Sequence, residues 1–311
     1  MTSLVKQLLR GLWLIPLGGL ACLQAQSPAA FNGQRAFQDV RQLVAIGPRV
    51  AGTAGAQSAR DYIRKQLQAA GLNVVEQPFE ADTPLGRVKM VNLRATVTGG
   101  GGTAGAGSRR LVIGGHYDTK RFKEFTFVGA NDGGSSAAFL IELGRVLRRR
   151  PNPIPIELLF LDGEEAVVEW EGTDHTYGSR HYVETARKEG TLKSIKAFIL
   201  VDMIGDRDLL IKRETNSTPE LADAILDAAR RLGRREFSPE PYPVEDDHLE
   251  FLAAGVRSVD IIDLEYYTGS GKLAWHTEHD TIENVSADSL QAVGDVLIAA
   301  LPAIERNAGA R

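Results

Sequence analysis

Apolar residues recur along the chain in two patterns that indicate alternating helices and strands. Ala59, Tyr62, Ile63 and Leu67 follow the three- and four-residue spacing of an amphipathic helix at residues 57–70. Elsewhere the chain has short runs that are almost wholly apolar, which is typical of strands covered on both faces. Because such runs alternate with helical stretches, we predict an α/β fold of three layers, with a mixed, mostly parallel central sheet flanked by helices.

The same patterns place the individual elements and contain no internal repeat. A Gly-rich stretch at residues 98–108 is interpreted as a flexible loop, because it lacks the lysine and the following helix of a phosphate-binding loop. Helices are predicted at residues 34–46, 57–70, 132–150, 177–188, 218–232, 246–254 and 286–306. Strands are predicted at residues 72–79 and 87–97, as an edge hairpin, and at 110–115, 156–161, 196–203 and 257–264.

The N-terminal segment has the composition of an export signal. Lys6 and Arg10 precede an apolar run at residues 11–21, which is too short to anchor the chain stably across a bilayer. Ala25 is a plausible cleavage point. We therefore predict a signal peptide at residues 1–25 and a mature protein that is periplasmic or secreted.

The composition suits a single catalytic domain at residues 26–311. The 311 residues are 43% hydrophobic and 24% charged, and a net charge of −4 gives no reason to expect nucleic acid or an acidic membrane as a partner. No membrane span is expected in the mature chain. Cys22 is the only cysteine, so cleavage after the signal leaves no disulfide. Lipid attachment at Cys22 is an alternative that Gly19 disfavours.

An acidic turn follows the most apolar predicted strand. Asp162, Gly163, Glu164 and Glu165 come directly after residues 156–161. Open α/β sheets place ligand sites at the carboxyl ends of their strands. There, one glutamate can bind a metal ion while its neighbour carries a proton. Taken alone, such a turn is better explained as a solvated acidic loop, and the other acids and histidines at predicted strand ends favour a site instead.

Further acids and histidines lie just after the predicted strands or in loops on the same edge of the sheet. Carboxylate oxygens together with imidazoles suit Zn²⁺. Each residue alone is a weak signal, and the Asp-Asp-His before the helix at 246–254 is also explained as an N-cap with an acidic first turn. The joint pattern predicts a metal site. Its candidates are His116, Asp118, Asp132, Glu164, Glu165, Asp202, Asp246, Asp247, His248 and His276.

The motifs around these candidates resemble a known family. GGHYDTK, FVGANDGGSSAAFLIELGR, LDGEEAVVEW, TYGSRH, EDDHLEFLAAGV and WHTEHDT occur in the same order as in zinc-dependent, animal-type glutaminyl-peptide cyclotransferases. They also resemble, more broadly, the zinc aminopeptidase superfamily. The similarity covers about residues 35–305. The most specific part is the GEE followed by Glu169-Trp170 and then YGSRH.

The resemblance implies a role for most of the candidates. It implies zinc ligation by Asp132, Glu165 and His276. It implies that Glu164 is the general base and acid, that Asp202 and Asp246 form a hydrogen-bonded acidic pair, and that Trp170 and Trp275 wall the substrate pocket. His116 and Asp202 match the second-metal ligands of two-zinc aminopeptidases, with Asp132 as the bridge, so one zinc is expected and two remain open.

The chain departs from the animal enzymes in two places. Asp260 stands where they carry a histidine, and a longer loop at residues 264–274 precedes Trp275. Both departures leave substrate preference and pocket shape open. The disulfide of the animal enzymes is also absent.

Three functions are compatible with these observations. The first is conversion of an N-terminal glutamine of a peptide or protein to pyroglutamate with release of ammonia. This reaction needs a polarised carbonyl, one carboxylate to move a proton, and a folded-back side chain. The first alternative is a metallo-aminopeptidase that hydrolyses N-terminal residues. The second is a non-catalytic peptide-binding protein on the same scaffold, which would have no need of Glu164.

Overall fold

The computed structural model describes residues 30–98 and 108–309, and in them a mixed sheet lies between two layers of helices. The strands are β1 (Val74–Thr83), β2 (Gly86–Val97), β3 (Arg110–His116), β4 (Ile156–Leu161), β5 (Ile195–Asp202) and β8 (Ser258–Ile262), in the order β1-β2-β4-β3-β5-β8. β3, β4, β5 and β8 are parallel to their neighbours in that group, whereas β1 and β2 form an antiparallel hairpin and β2 is antiparallel to β4. The predicted fold class is confirmed.

The helices cover both faces of this sheet. They are α1 (Gly33–Ile46), α2 (Ala54–Ala69), α3 (Gly134–Leu147), α4 (Tyr177–Lys188), α5 (Pro219–Leu232), α6 (His248–Ala253) and α7 (Ala287–Gly309). Adjacent residues of β4 show the layering, because Leu158 belongs to the larger apolar cluster and Leu159 to the smaller one on the opposite face. Every residue of β3 and of β4 is buried, as the continuous apolar run predicts.

A glycine in β3 allows α3 to lie close to the sheet. A Cβ atom at Gly115 would stand 2.8 Å from the Cβ of Ser136 in α3 and 2.6 Å from the carbonyl oxygen of Val201 in β5. Neither neighbour can move without displacing a whole element. The close approach places the start of α3 directly against the carboxyl ends of β3 and β5, which is where the candidate site lies.

A second, two-stranded sheet was not predicted. β6 (Ile211–Glu214) pairs with β7 (Phe237–Tyr242) in parallel. β6 is short and strongly charged, and β7 contains Pro239 and Pro241, which in a sequence argue against a strand. A two-stranded sheet has no central strand, so both prolines are tolerated there.

Two predicted helices begin later than expected. The helix predicted at 132–150 begins at Gly134, and the one predicted at 246–254 begins at His248. In both cases the acids before the helix remain in a loop. The predicted signal peptide, Cys22 and most of the loop at 98–108 lie outside the described residues.

One described helix is long and apolar enough to cross a membrane by length and composition alone. It spans Ala287–Asn307, and 56% of its most apolar window is buried inside the protein. Leu290, Val293 and Leu297 on this helix are fully buried. These features are those of a core helix, and here α7 lies against α1 and α5.

Candidate active site

The predicted candidates converge on one edge of the sheet. His116 is the last residue of β3, Asp202 is the last residue of β5, and Glu164 and Glu165 lie in the turn after β4. Asp132 comes from the loop before α3 and His276 from the loop that follows β8. The carboxyl ends of neighbouring parallel strands meet at one edge, so the topology brings together residues that are far apart in sequence.

Three of these side chains have the spacing of ligands around one metal ion. His276 Nε2 lies 3.3 Å from Asp132 Oδ2 and 3.4 Å from Glu165 Oε1. Ligand atoms about 2.0–2.1 Å from a tetrahedral zinc are separated by about 3.3–3.4 Å, so the spacing matches. Asp132 Oδ2 and both carboxylate oxygens of Glu165 are buried without a hydrogen-bond partner among the described residues. Buried polar atoms without partners are costly, and a cation would satisfy them. The residues fit a metal ion.

A second group shares Asp132. His116 Nε2 lies 3.2 Å from Asp132 Oδ1 and 3.0 Å from Asp202 Oδ1, and all three residues are buried. Asp202 Oδ1 also accepts hydrogen bonds from the Ser136 hydroxyl and the Met203 backbone N–H. The two carboxylate oxygens of Asp132 therefore face the two groups separately, as in a bridging ligand.

The backbone around the site is strained. Among the described residues, the non-glycine residues with positive φ are Thr176, Met203 and His276, at 49°, 48° and 56°. Met203 follows Asp202, and Thr176 donates its backbone N–H to the carbonyl of Glu164. Such conformations persist only where the surroundings enforce them, and they concentrate at functional sites.

Asp118 holds the acidic turn in place. Its carboxylate accepts hydrogen bonds from the backbone N–H groups of Glu164 at 3.2 Å and Glu165 at 3.4 Å. With both amides tied to the segment that follows β3, the two glutamate side chains diverge. Glu165 faces His276, whereas Glu164 lies 3.7 Å from Nδ1 of His116. The solvated acidic loop considered above is excluded, because Glu164 and Glu165 are both buried.

Burial raises the pKa of the Glu164 carboxyl well above its usual range. The charges of Asp246 and Glu165 raise it further, against the opposing charge of His116. Burial also raises the pKa of Asp246, and its largest charge contribution comes from Asp202. A raised pKa makes the Glu164 carboxylate a stronger base than an exposed glutamate.

A cavity of about 530 Å³ opens onto these side chains. Trp170 and Trp275 both line it, together with Asp132, Glu164 and His276. The Trp275 ring stacks on His276 with 4.4 Å between ring centroids, and Trp170 stacks on His175 at 4.2 Å. Both indole rings are thereby fixed as rigid walls.

The comparisons with known proteins agree with this geometry. The profile of peptidase family M28 matches residues 92–301. The chain belongs to peptidase family M28. The resemblance predicted from the motifs is confirmed.

Relatives of this M28 chain include named cyclases. The glutaminyl-peptide cyclotransferase-like protein of Mus musculus is 30% identical over 288 residues, which are 83% of this chain and 72% of the mouse protein. The Acidobacteriales bacterium glutaminyl cyclase structure is 40% identical with a TM-score of 0.83, covering 91% of this chain and 97% of that one. A Zn-dependent exopeptidase from Parabacteroides distasonis shares the fold at 24% identity, with a TM-score of 0.75 and coverage of 89% and 99%.

The Asp-Asp-His motif of this M28 chain divides between two environments. Asp247 is at the N-cap position of α6, but its carboxylate makes no capping hydrogen bond and accepts one from the Ser179 hydroxyl instead. His248 does not reach the candidate metal ligands. Its ring nitrogens lie 3.2 Å from Glu214 and 3.6 Å from Asp260. The motif therefore lies at the start of a helix, as the N-cap interpretation expects, but the Asp247 side chain does not cap it.

Asp260 lies in the interior behind the acids. Burial raises the pKa of its carboxyl well above the usual range, and the charges of Asp246 and Asp202 add to this. Both of its carboxylate oxygens lack a hydrogen-bond partner among the described residues. The departure from the animal enzymes at this position therefore falls behind the pocket, not on its wall.

Sequence reasoning missed the residues that support Asp132 from behind. The Asp280 carboxylate accepts hydrogen bonds from the backbone N–H groups of Asn131 at 2.8 Å and Asp132 at 3.1 Å. The Tyr266 hydroxyl donates to the same carboxylate at 3.0 Å. Arg49 donates to carbonyls of the same loop. Asp280 follows His276 by four residues in the motif WHTEHDT. That proximity in sequence was the signal that could have pointed to Asp280.

Proposed function

We propose that the protein is a glutaminyl-peptide cyclotransferase that converts the N-terminal glutamine of a peptide or protein to pyroglutamate and releases ammonia. One observation carries the proposal. The buried carboxyl of Glu164 and the three metal-spaced side chains meet on the floor of a cavity that two tryptophans line, in a chain 40% identical to a glutaminyl cyclase. The named relatives support the same activity.

The metal in this proposal is one zinc ion, held by Asp132, Glu165 and His276. Oxygen and imidazole donors without a thiolate, in a trio with tetrahedral spacing, support that assignment. When bound, zinc supplies Lewis acidity toward a carbonyl oxygen of the substrate. Three protein ligands would leave one position of a four-coordinate zinc free for such an oxygen.

Glu164 moves the proton in this reaction. The α-amine nitrogen of the substrate forms a bond to its own γ-amide carbon, and the bond from that carbon to the amide nitrogen breaks. The amine loses one proton to the Glu164 carboxylate, and the departing nitrogen gains one from the same carboxyl and leaves as ammonia. The raised pKa of Glu164 suits both transfers.

Asp202 and Asp246 support Glu164 in the proposal as an acidic pair that shares a proton. Their mutual repulsion contributes to the raised pKa of Asp246, and a shared proton would relieve it. Holding one proton between them keeps the negative charge next to Glu164 low, so Glu164 can be anionic and accept the proton of the substrate amine.

Trp170 and Trp275 position the substrate side chain in the proposal. Cyclisation is intramolecular, so much of its rate comes from holding the glutamine folded back on its own amine. The two stacked indoles offer flat, rigid walls against which that side chain can be held.

A metallo-aminopeptidase is the second candidate, because His116, Asp132 and Asp202 form a second metal-spaced group. The deciding experiment incubates the pure zinc-loaded protein with two peptides that differ only in beginning with glutamine or leucine. We expect the glutamine peptide to lose the mass of one ammonia and the leucine peptide to stay intact. Release of free leucine without cyclisation would establish the aminopeptidase, and no change in either peptide would favour the non-catalytic binding protein.

We also propose that the protein is exported and that its substrates are exported peptides or proteins. The basic and apolar residues at 1–25 support this. Mass spectrometry of the N-terminus of the protein recovered from the cell envelope or medium tests it. A mature chain that still begins at Met1 would refute cleavage.

A further inference from the structure

Arg49 lies in the connection between α1 and α2 and is fully buried. Its guanidinium donates to three backbone carbonyls in two segments. Nε donates to the carbonyl of Tyr117 at 2.8 Å, Nη1 to that of Val128 at 2.6 Å, and Nη2 to that of Gly129 at 2.8 Å. Nη2 also lies 3.5 Å from the carbonyl oxygen of Asp132. Its backbone N–H donates to the Thr119 hydroxyl.

These carbonyls belong to the two segments that carry candidate metal-site residues. Tyr117 stands between His116 and Asp118 at the end of β3, and Val128 and Gly129 open the loop that carries Asp132. The guanidinium has the planar fork needed to hold several acceptors in fixed directions, which a lysine ammonium does not. Arg49 therefore fixes the position of one ligand-bearing segment against the other.

The charge of Arg49 has no direct partner. No carboxylate of the described residues lies within ion-pair distance of its guanidinium, and burial lowers its pKa to about 10, against the charges of Asp280, Asp132 and Asp118. Burying a charge in this way is costly unless hydrogen bonds compensate. An apolar side chain would fill the same space without the free-energy cost of burying a charge. The hydrogen bonds to the loop carbonyls therefore account for an arginine at this position.

Arg49 and Asp280 hold the Asp132 loop through opposite kinds of hydrogen bond. Arg49 binds carbonyl oxygens of the loop, and the Asp280 carboxylate accepts two of its backbone N–H groups. The Arg49 guanidinium holds the carbonyls of the loop and the Asp280 carboxylate holds its amides. The loop therefore has little freedom to move away when other carboxylates repel Asp132. A ligand fixed before the metal arrives loses less conformational freedom on binding.

We propose that Arg49 is a positioning residue for the metal site, which sets zinc affinity by holding the Asp132 loop against the end of β3. The inference relies on Asp132 as a metal ligand, as in the proposed function, but it does not require that the reaction be cyclisation.

Arg60 provides a matched control. It is a second buried arginine, and it donates to the Tyr117 hydroxyl, to Gln57 and, at 3.4 Å, to Asp162. None of these contacts involves the Asp132 loop. Replacing either arginine by lysine removes a buried hydrogen-bonded fork. Only the Arg49 variant disturbs the loop.

The experiment measures the zinc dissociation constant of the folded wild type, Arg49→Lys, Arg49→Met and Arg60→Lys by competition with a chelating indicator. We expect Arg49→Lys to weaken zinc binding about tenfold, the equivalent of one lost charged hydrogen bond. Arg49→Met should weaken it further, and Arg60→Lys should leave it unchanged. At saturating zinc, Arg49→Lys should recover most of its kcat with an unchanged KM.

Wild-type zinc affinity in Arg49→Lys, or equal weakening in Arg60→Lys, would overturn the inference. If Arg49→Met does not fold, the lysine variant alone decides. A wild type that binds zinc but does not cyclise glutamine peptides defeats the proposed function and leaves this inference intact. A wild type that binds no zinc defeats both.

Discussion

At the scale of single residues, the site depends on two adjacent glutamates that have different surroundings. The Asp118 carboxylate ties down both backbone amides, so the side chains of Glu164 and Glu165 leave the turn in different directions. Glu165 reaches His276, and Glu164 reaches the acids behind the cavity. The sequence predicted this division of roles, because consecutive residues at a strand end point apart. It did not reveal that Asp118 enforces it.

Replacing Glu164 by Gln should lower kcat about 10²- to 10⁴-fold, the usual loss when a general acid–base group is removed. Zinc content should be unchanged, because Glu164 is not among the three metal-spaced side chains. Steady-state cyclisation of a glutamine peptide and atomic absorption of the same sample measure both quantities. Glu171→Gln, on an exposed residue nearby, is the control and should behave as the wild type. Wild-type activity in Glu164→Gln would remove Glu164 from the reaction.

His276→Ala should release the metal, because it deletes one of three donors that lie 3.3 and 3.4 Å apart. His279→Ala is the matched control, since His279 is only three residues away and outside both metal-spaced groups. Atomic absorption after dialysis should find little zinc in the first variant and wild-type zinc in the second. Full zinc retention in His276→Ala would mean that the ion lies elsewhere, for example between His116, Asp132 and Asp202.

At the scale of elements, the loops at the carboxyl ends of the strands carry the site, and their glycines allow them to approach one another. Gly133, with φ of 72°, separates Asp132 from the start of α3. A Cβ atom there would stand 2.4 Å from the carbonyl oxygen of Asp118 and 3.1 Å from the His116 ring. The loop before α3 can therefore lie directly on the end of β3 only if residue 133 has no side chain.

Gly133→Ala should both destabilise the protein and weaken zinc binding. The added methyl collides with a backbone carbonyl, and an alanine is strained at positive φ, so a loss of about 2–4 kcal/mol is expected. Gly172→Ala separates the two effects, because Gly172 also has positive φ, 61°, but nothing lies within 4 Å of its Cβ position. Denaturant unfolding and the zinc dissociation constant are the measurements. Equal losses in the two variants would show that strain alone, and not the collision, matters.

Sequence patterns predicted the elements that have a clear period and missed those that do not. β4 was recognisable because both of its faces are covered, and α2 because its apolar stripe is regular. β6 and β7 were not, because they form a small peripheral sheet with charges and prolines. The starts of α3 and α6 were set too early, because Asp132 and Asp246 were assigned to the helix that they precede. Tertiary hydrogen bonds, such as those to Asp280, hold Asp132 in the loop instead.

At the scale of the whole molecule, the sequence identified the acids and imidazoles at the sheet edge but not what lies behind them. Strand ends can be read from apolar runs, and so a cluster of acids and imidazoles at this edge followed from topology. The choice of Asp132, Glu165 and His276 among them came from the family resemblance. Arg49 and Tyr266 carry no comparable signal, since a buried arginine or tyrosine looks like any other in a sequence. The supporting contacts are long-range, and only the folded chain shows them.

The interior of this molecule holds many carboxyls whose pKa values are raised, which makes the metal-free protein sensitive to pH. Burial raises the pKa of Asp162 and of Asp263 to about 7. For an acid with a raised folded-state pKa, stability is highest below the unfolded pKa of about 4 and is lost as pH rises through the folded value. His276 adds to the trend, because contacts with Asp132 and Glu165 outweigh burial and raise its pKa to about 10. Its contribution is complete below about 6.5 and is lost as pH rises further.

We therefore expect the melting temperature of the metal-free protein to fall between about pH 5 and pH 8. Zinc should act in the opposite direction, because it binds deprotonated ligands and so binds more tightly as pH rises. The difference in melting temperature between zinc-loaded and chelator-treated protein should widen across this range. Differential scanning calorimetry of both forms at three pH values measures it, with Asp263→Asn as a test of one contributing carboxyl. A difference in melting temperature that narrows as pH rises would contradict this expectation. It would mean that zinc and protons do not compete for the buried carboxylates of the site.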